Sequence, residues 1–241
     1  MDTTEIHERL KQNLETYQPT PKTAELLKNT PILLLVGISG AGKDSIKHEL
    51  LKTGDYHHIV SHTTRAPREN HGVIEKEGID YHFISLAEAE KMLDDQAFVE
   101  AKMYSGNIYG TSVAEIQAAY DTHKIATADI EVQGVAEYMA IDPDTKAVFI
   151  LPPGFKIWQQ RYDKRYGDTI DHEDYTKRLH TAGMELQHVL QTHYFHLVVN
   201  DTLETAVEVV NRIATGVVTD PQQQTEARRV AELLCQEFLA A

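Results

Sequence analysis

The apolar run Ile32-Leu33-Leu34-Leu35-Val36 passes directly into Gly37-Ile38-Ser39-Gly40-Ala41-Gly42-Lys43, and then into a helix-like segment from Asp44 to Lys52. No other feature of the chain narrows its fold so far. Strand, glycine-rich loop and helix together make a phosphate cradle. The glycines let backbone N–H groups converge on an anion. The helix N-terminus adds the positive end of a dipole, and Lys43 adds a mobile charge. Gly37, Ser39, Gly40, Ala41, Gly42, Lys43, Asp44 and Ser45 are therefore candidate phosphate-binding residues. One position departs from the usual G-x-x-x-x-G-K-[ST] pattern: Asp44 stands where a magnesium-binding hydroxyl is expected, and Ser45 comes one residue late. A carboxylate is a hard oxygen ligand that suits magnesium, directly or through water, but close to phosphate its charge costs binding.

The bulk of the chain sets limits around this site. Its 241 residues suit one large domain, or a core with subdomains, and a hydrophobic fraction of 41% allows a sizeable core. Cys235 is the single cysteine, which excludes an internal disulfide and a multi-cysteine zinc site and suits a reducing, cytoplasmic setting. No signal peptide is apparent at Met1, and no apolar run approaches the about 18 residues of a membrane span. The net charge of −14 argues against a general binder of nucleic acid or anionic membranes.

Residues 1–30 read as a polar helical extension, with Ile6, Leu10 and Leu14 at four-residue spacing and a break at Pro19 and Pro21. Further strands are expected at 58–62, 81–84, 124–130, 147–151 and 195–199. Helices are expected at 86–95, where Ser85 and Glu88 form a capping box, and at 113–123. A long helical stretch over 156–192 is interrupted near Gly167, and an amphipathic helix carrying Val230, Leu233, Leu234 and Phe238 covers 222–241. Residues 100–111, polar, aromatic and glycine-punctuated, read as loop or short strand. Strands alternating with helices imply a mainly parallel sheet covered on both faces.

A second constellation follows the loop: Ser61-His62-Thr63-Thr64-Arg65-Ala66-Pro67-Arg68. Two arginines three apart, with a proline stiffening the chain between them, suit bidentate capture of one phosphate. Taken in order, GISGAGKDS, SHTTRAPR, DYHF, FVE, GNIYGTS, DIEVQG and RYDKRYGD resemble the motifs of the guanylate kinase family over about residues 32–213. The resemblance implies an α/β fold: a three-layer P-loop NTPase core with a mainly parallel five-stranded sheet, an inserted acceptor-binding subdomain at about 61–112 and a helical lid at about 156–178. A domain over 31–213 would then carry helical extensions at 1–30 and 214–241. The implied activity moves the γ-phosphate of ATP to GMP, with Mg2+ as cofactor and these nucleotides as partners; no oligomeric state follows.

The resemblance also implies roles. Arg65 and Arg68, helped by Tyr81 and Tyr109, would hold the acceptor phosphate; Ser61, Glu100 and Thr111 would read guanine. A carboxylate such as Glu100 accepts from both N1–H and N2–H of guanine, a donor pair that adenine lacks. Asp129 would act near the metal and Lys43, and Glu131, where the family has aspartate, would meet the acceptor nucleotide. Arg161, Arg165 and Arg178 match the lid arginines that meet the ATP phosphates, and Asn200 falls in a segment near the adenine. With Asp44 and Ser45, Asp129 makes up the implied metal set.

Departures from the pattern keep other readings open. The segment from Arg68 to Tyr81 is longer than the family's and lacks its central G-E, and the Asp44-Ser45 order resembles the loop of ribose 1,5-bisphosphate phosphokinase. A related kinase with another acceptor, and a non-catalytic guanylate kinase-like binding module, are the alternatives. Among the 13 histidines, His57, His58, His62, His71 and His82 fall in the first third without metal-site spacing, and read as surface or core residues.

Overall fold

The computed structural model describes residues 3–70, 73–167, 172–218 and 220–241. The chain divides into two compact units, one of residues 1–31 and 57–126 and a second of residues 32–56 and 127–241.

Two helices, α1 (Thr3–Thr16) and α2 (Pro21–Lys28), open the first unit. α2 starts where Thr20 accepts from the Thr23 N–H at 3.0 Å and Pro21 supplies the first helical residue. α1 is more than a polar extension: Leu10 is fully buried among Ala89, Leu93, Phe98, Ala101 and Ile108. Full burial of a leucine contributes about 1.5–3 kcal/mol. The Tyr17 hydroxyl then pins the segment, donating to the Phe98 carbonyl at 2.6 Å and accepting from the Phe98 N–H at 3.1 Å. The side chain of Ile6 lies outside the described residues.

β1 (Ile32–Gly37), with Ile32 to Val36 all buried, and α3 (Lys43–Lys52) begin the second unit, followed by β2 (Tyr56–His58). The strand expected over 58–62 does not form. β2 ends at His58, and β3 (His62–Thr63) belongs to another sheet. Between them the Val60 N–H donates to the Glu115 carboxylate at 3.0 Å, which removes it from any ladder. In the long segment after Arg68, β4 (Glu69–Asn70) and β5 (Val73–Ile74) pair as an antiparallel ribbon, with His71 outside the described residues. β6 (His82–Phe83) runs parallel to β3. α4 (Leu86–Asp94) carries the expected capping box of Ser85 and Glu88.

Of the two readings open for residues 100–111, loop or short strand, the structure takes strand on either side of a tight turn. β7 (Phe98–Tyr104) and β8 (Asn107–Ser112) form an antiparallel hairpin. Its two-residue turn, Ser105–Gly106, has φ of 48° and 76°, the positive values that hairpin turns of this length demand. Gly110, which reads as loop punctuation, sits inside β8 because a Cβ there would lie 2.8 Å from the Glu100 carbonyl oxygen. α5 (Val113–Asp121), capped by Ser112, follows.

The remainder alternates as the pattern predicts: β9 (Ile125–Asp129), α6 (Val132–Ile141), β10 (Lys146–Leu151), α7 (Phe155–Tyr166), α8 (His172–Gln191), β11 (Phe195–Val199), α9 (Leu203–Ala214) and α10 (Pro221–Ala240). The five-stranded sheet has the order β11-β10-β1-β9-β2, with β1 parallel to β10 and β10 parallel to β11. β1 is the central strand, so its carboxyl end delivers the glycine loop to the middle of the sheet edge, where ligands of such sheets gather. α10 buries Ala227, Ala231, Leu234, Cys235 and Phe238, a helical stripe, against α7, α8, β10 and β11. Leu233, one residue off that stripe, is 52% exposed.

Candidate active site

The glycine loop is built by tying its carbonyls outward. β1 ends so close to β10 that a Cβ on Gly37 would lie 2.5 Å from the Ile150 carbonyl oxygen. Beyond it, Trp158 Nε1 donates to the Ser39 carbonyl at 2.7 Å, and Asn200 Nδ2 donates to the Ala41 carbonyl at 2.8 Å. Arg161 braces Asn200 in turn, its Nη2 donating to the Asn200 carbonyl at 2.9 Å. In a planar trans peptide the C=O and the following N–H point opposite ways. The N–H groups of Gly40 and Gly42 are thus turned away from those side chains, and both glycines line a cavity of about 460 Å³. Ser39, Lys43, Asp44, Ser45, Glu131 and Arg161 line it as well. Ala41 is buried beneath the loop, and Asn200, expected near an adenine, is 5% exposed with its amide committed to the loop. Lys43 Nζ donates to the Gly37 carbonyl at 2.7 Å.

Lys43, Asp44, Glu131, Arg161 and Glu185 bring charge to this cavity from elements far apart in sequence, and Ile130, the residue after Asp129, also lines it. Asp129, at the end of β9, accepts through Oδ2 from Lys47 Nζ, while its Oδ1 is buried without a hydrogen-bond partner among the described residues. Lys47 stands one helical turn after Lys43; that spacing was its only sequence signal. Glu185 on α8 also lines the cavity, and no motif announces it. Burial pushes its carboxyl up to about 7, with Lys43 pulling it down and Glu131 pushing it further up. Of the three expected lid arginines, Arg161 faces the cavity, Arg178 is an exposed residue of α8, and the side chain of Arg165 lies outside the described residues.

The first unit holds the other candidates, on a sheet of order β6-β3-β8-β7. Thr111 pairs with Glu100, and Tyr109 pairs with both Lys102 and Thr63. Extending that register by one residue sets Ser61 across from Thr111. Residues side by side on neighbouring strands share a face, and so do residues two apart along one strand. Ser61, Thr111 and Glu100 therefore form one row, with Tyr109 on the same face. His62 and His82 lie in register on the other face, their rings 4.6 Å apart. His82 reaches Glu77 at 3.0 Å and Glu115 at 3.2 Å.

Arg65 is 8% exposed, and its guanidinium is already half used. Nη1 and Nη2 donate to the two oxygens of Glu75 at 2.8 and 3.0 Å, and Nη1 also donates to the Ala66 carbonyl at 2.8 Å. The Nε edge is buried without a partner among the described residues. The Tyr81 ring lies 5.2 Å from the guanidinium carbon, and the Tyr109 ring lies 6.0 Å from that of Tyr81. Hydrogen bonding to Arg65 holds Glu75 below the usual carboxylate range, and the same bond pushes Arg65 up. Arg68 is exposed, and its backbone N–H donates to Glu75 at 2.8 Å. Sequence reasoning missed Glu75: it saw only that a glycine–glutamate pair was lost, whereas the β4–β5 ribbon brings a later glutamate back to both arginines.

Comparison with known proteins bears on the same residues. The family model for guanylate kinase matches residues 28–216. The guanylate kinase of Schizosaccharomyces pombe is 37% identical over 190 residues, covering 78% of this chain and 91% of that one. The guanylate kinase of Sulfurimonas denitrificans is 36% identical over 189 residues, covering 78% and 88% respectively. Among solved structures, the guanylate kinase of Anaplasma phagocytophilum superposes with a TM-score of 0.57 at 23% identity, covering 86% of this chain and 96% of that one, a likeness of fold. With a family model across residues 28–216 and relatives matched over most of their length, the chain belongs to the guanylate kinase family, the ATP-dependent kinases of nucleoside monophosphates.

Proposed function

We propose the following division of labour for the guanylate kinase activity that this membership brings. ATP occupies the glycine-loop cavity, GMP occupies the sheet face of the first unit, and the γ-phosphate passes from one to the other, leaving ADP and GDP. The observation that carries the GMP assignment is the row of Ser61, Thr111 and Glu100 beside Tyr109. It offers a carboxylate and two hydroxyls to a base whose edge presents N1–H and N2–H donors. Arg65 offers its Nε, which has no partner among the described residues, to the acceptor phosphate, with Tyr81 and Tyr109 alongside and Arg68 as a second, exposed cation. Glu75 serves as the clamp that orients Arg65.

The chemistry asks little of the protein as a base. A nucleotide monophosphate has a second pKa of about 6 and is mostly dianionic at neutral pH, so its oxygen attacks the γ-phosphorus unaided. Catalysis is then positioning and charge neutralisation. The Gly40 and Gly42 N–H groups and Lys43 hold the ATP phosphates, and Arg161, Arg165 and Arg178 offset the charge that spreads over the transferring group. We assign the acceptor-binding subdomain to about 61–112 and the lid to about 156–178, whose closure excludes water and limits wasteful hydrolysis. The residues fit magnesium: Asp129 Oδ1 is buried without a partner among the described residues, and Asp44 and Ser45 add oxygens at the cavity wall. One or two carboxylates plus substrate phosphates are its usual setting. Held there by Asp129, Asp44 and Ser45, magnesium would neutralise part of the phosphate charge. A single cysteine is in keeping with a cytoplasmic location, and no helix among the described residues is long and apolar enough to cross a membrane.

The test is an acceptor screen with ATP and magnesium, following ADP release. GDP formed from GMP, and lost in both Lys43→Ala and Arg65→Ala, is the expected result. Turnover with a phosphorylated sugar and none with GMP rejects the acceptor assignment, and absence of turnover with every acceptor rejects the catalytic one. Glu100→Gln, which keeps the shape but no longer accepts two N–H donors, should raise the KM for GMP and leave that for ATP.

A further inference from the structure

α10 lies beyond residue 216, where the family match ends, yet its inner face meets the only tryptophan of the chain. Phe238, 2% exposed, stands edge-on to Trp158 with ring centroids 4.7 Å apart and planes at 81°. Phe155 joins the cluster, 5.1 Å from Phe238 and 5.5 Å from Trp158, and Tyr162 packs on the indole at 5.1 Å. Edge-to-face packing of this kind favours a defined ring orientation. In that orientation the indole, 1% exposed, aims its N–H at the Ser39 carbonyl 2.7 Å away. A buried indole N–H requires an acceptor, and here the acceptor is the glycine loop itself. The fit is close, since a Cβ on Gly40 would lie 3.3 Å from the indole nitrogen. α10 also grips α8: Gly183 leaves room for Leu239, which a Cβ there would meet at 2.6 Å. Two residues on from Gly183, α8 places Glu185 in the cavity wall.

We propose that α10 is a positioning element of the ATP site. Phe238 holds Trp158, Trp158 holds the Ser39–Gly40 peptide, and peptide planarity then directs the Gly40 N–H toward the phosphates before ATP arrives. The proposal rests on the reading of the glycine-loop cavity as the ATP site. Trp158 acts through the backbone and touches no substrate.

Trp158→Phe keeps a ring in the cluster and removes the indole N–H. ADP should then bind about three- to tenfold more weakly, the equivalent of one neutral hydrogen bond. The KM for ATP should rise by a similar factor, with kcat and the KM for GMP unchanged. A general packing defect would instead lower the active fraction, and so kcat, and move neither KM. Phe238→Leu, which spares the indole but loosens its support, should shift the KM for ATP the same way by less. In the parent protein Trp158 is the sole tryptophan, so saturating ADP should change its emission directly. If calorimetry shows ADP bound to the parent while both the emission and the affinity of Trp158→Phe stay unchanged, the positioning role is overturned and the ATP-site reading stands. If ADP does not bind the parent, both fall. Should Trp158→Phe fail to fold, the parent's emission and Phe238→Leu decide between the same outcomes.

Discussion

Glu185→Gln should stabilise the nucleotide-free protein in alkali and change it little in acid. Glu185 lines the phosphate cavity, and burial, reinforced by Glu131, pushes its carboxyl from 4.5 up to about 7. Its proton is therefore bound more tightly in the folded state than in the unfolded one. Stability from this group is fully present below about pH 4.5, falls as pH rises, and is lost above about pH 7. At about 1.4 kcal/mol for each pKa unit, the gap corresponds to about 3 kcal/mol. Part of that is already lost at pH 5, so a comparison of about pH 5 with about pH 8.5 should expose roughly 2–3 kcal/mol. For a chain of this size, roughly 2–4 °C per kcal/mol converts it to about 5–10 °C in Tm. Glutamine keeps the volume and cannot ionise, so the variant should melt close to the parent at pH 5 and well above it at pH 8.5. Circular dichroism melts at the two pH values provide the test. A Tm difference that is the same at both refutes the assignment of an unfavourable buried charge to Glu185. A linked consequence is proton uptake on ADP binding near pH 7, because polyphosphate charge raises the carboxyl's proton affinity further. Calorimetry in buffers of different ionisation heat reads it directly.

Three other outcomes follow from the site. Lys47→Met releases the carboxylate of Asp129 and should raise the magnesium concentration for half activity at least about tenfold, as loss of an orienting partner does, with Lys47→Arg restoring it; an unchanged magnesium titration rejects the role. Glu75→Gln weakens the two-point clamp on Arg65 and should raise the KM for GMP about tenfold, the size of one charge-assisted hydrogen bond, without moving the KM for ATP; steady-state kinetics with each substrate varied in turn separates the two. His62 is pushed down first by burial and then by the neighbouring His82, so it costs stability as pH falls below about 6.5, whereas the carboxylates Glu77 and Glu115 overcome burial and push His82 up, which adds stability there. His62→Phe should raise the acid-side Tm and His82→Gln lower it; shifts of the same sign would contradict the paired arrangement.

How far these residues were legible depends on how local their signal is. The glycine loop, the Ser85–Glu88 capping box and the strand–helix alternation each declare themselves within a few residues, because backbone freedom, capping hydrogen bonds and apolar periodicity are short-range. In sequence the β7–β8 segment stays open between loop and short strand for the opposite reason. Gly110 is required by the close approach of Glu100 and Ala101 on the partner strand, which composition alone cannot distinguish from a loop glycine. The strand expected at 58–62 failed because its Val60 N–H goes to a carboxylate on α5, distant in sequence.

The same division holds for the chemistry. By itself the sequence determined that this chain carries a glycine loop between strand and helix, an arginine pair and the motif order of the guanylate kinase family, since each depends on residue types at fixed short spacings; a guanine-reading role for Glu100 was implied only through that resemblance. Only the tertiary structure decided that Glu75 already occupies half of Arg65, that Lys47 meets Asp129, that Glu185 sits in the cavity wall, and that Trp158, Asn200 and Arg161 hold the loop's carbonyls outward. These are pairings between residues from 10 to 159 positions apart, and a charge or a hydrogen bond acts through distance in space, which packing sets and sequence spacing does not.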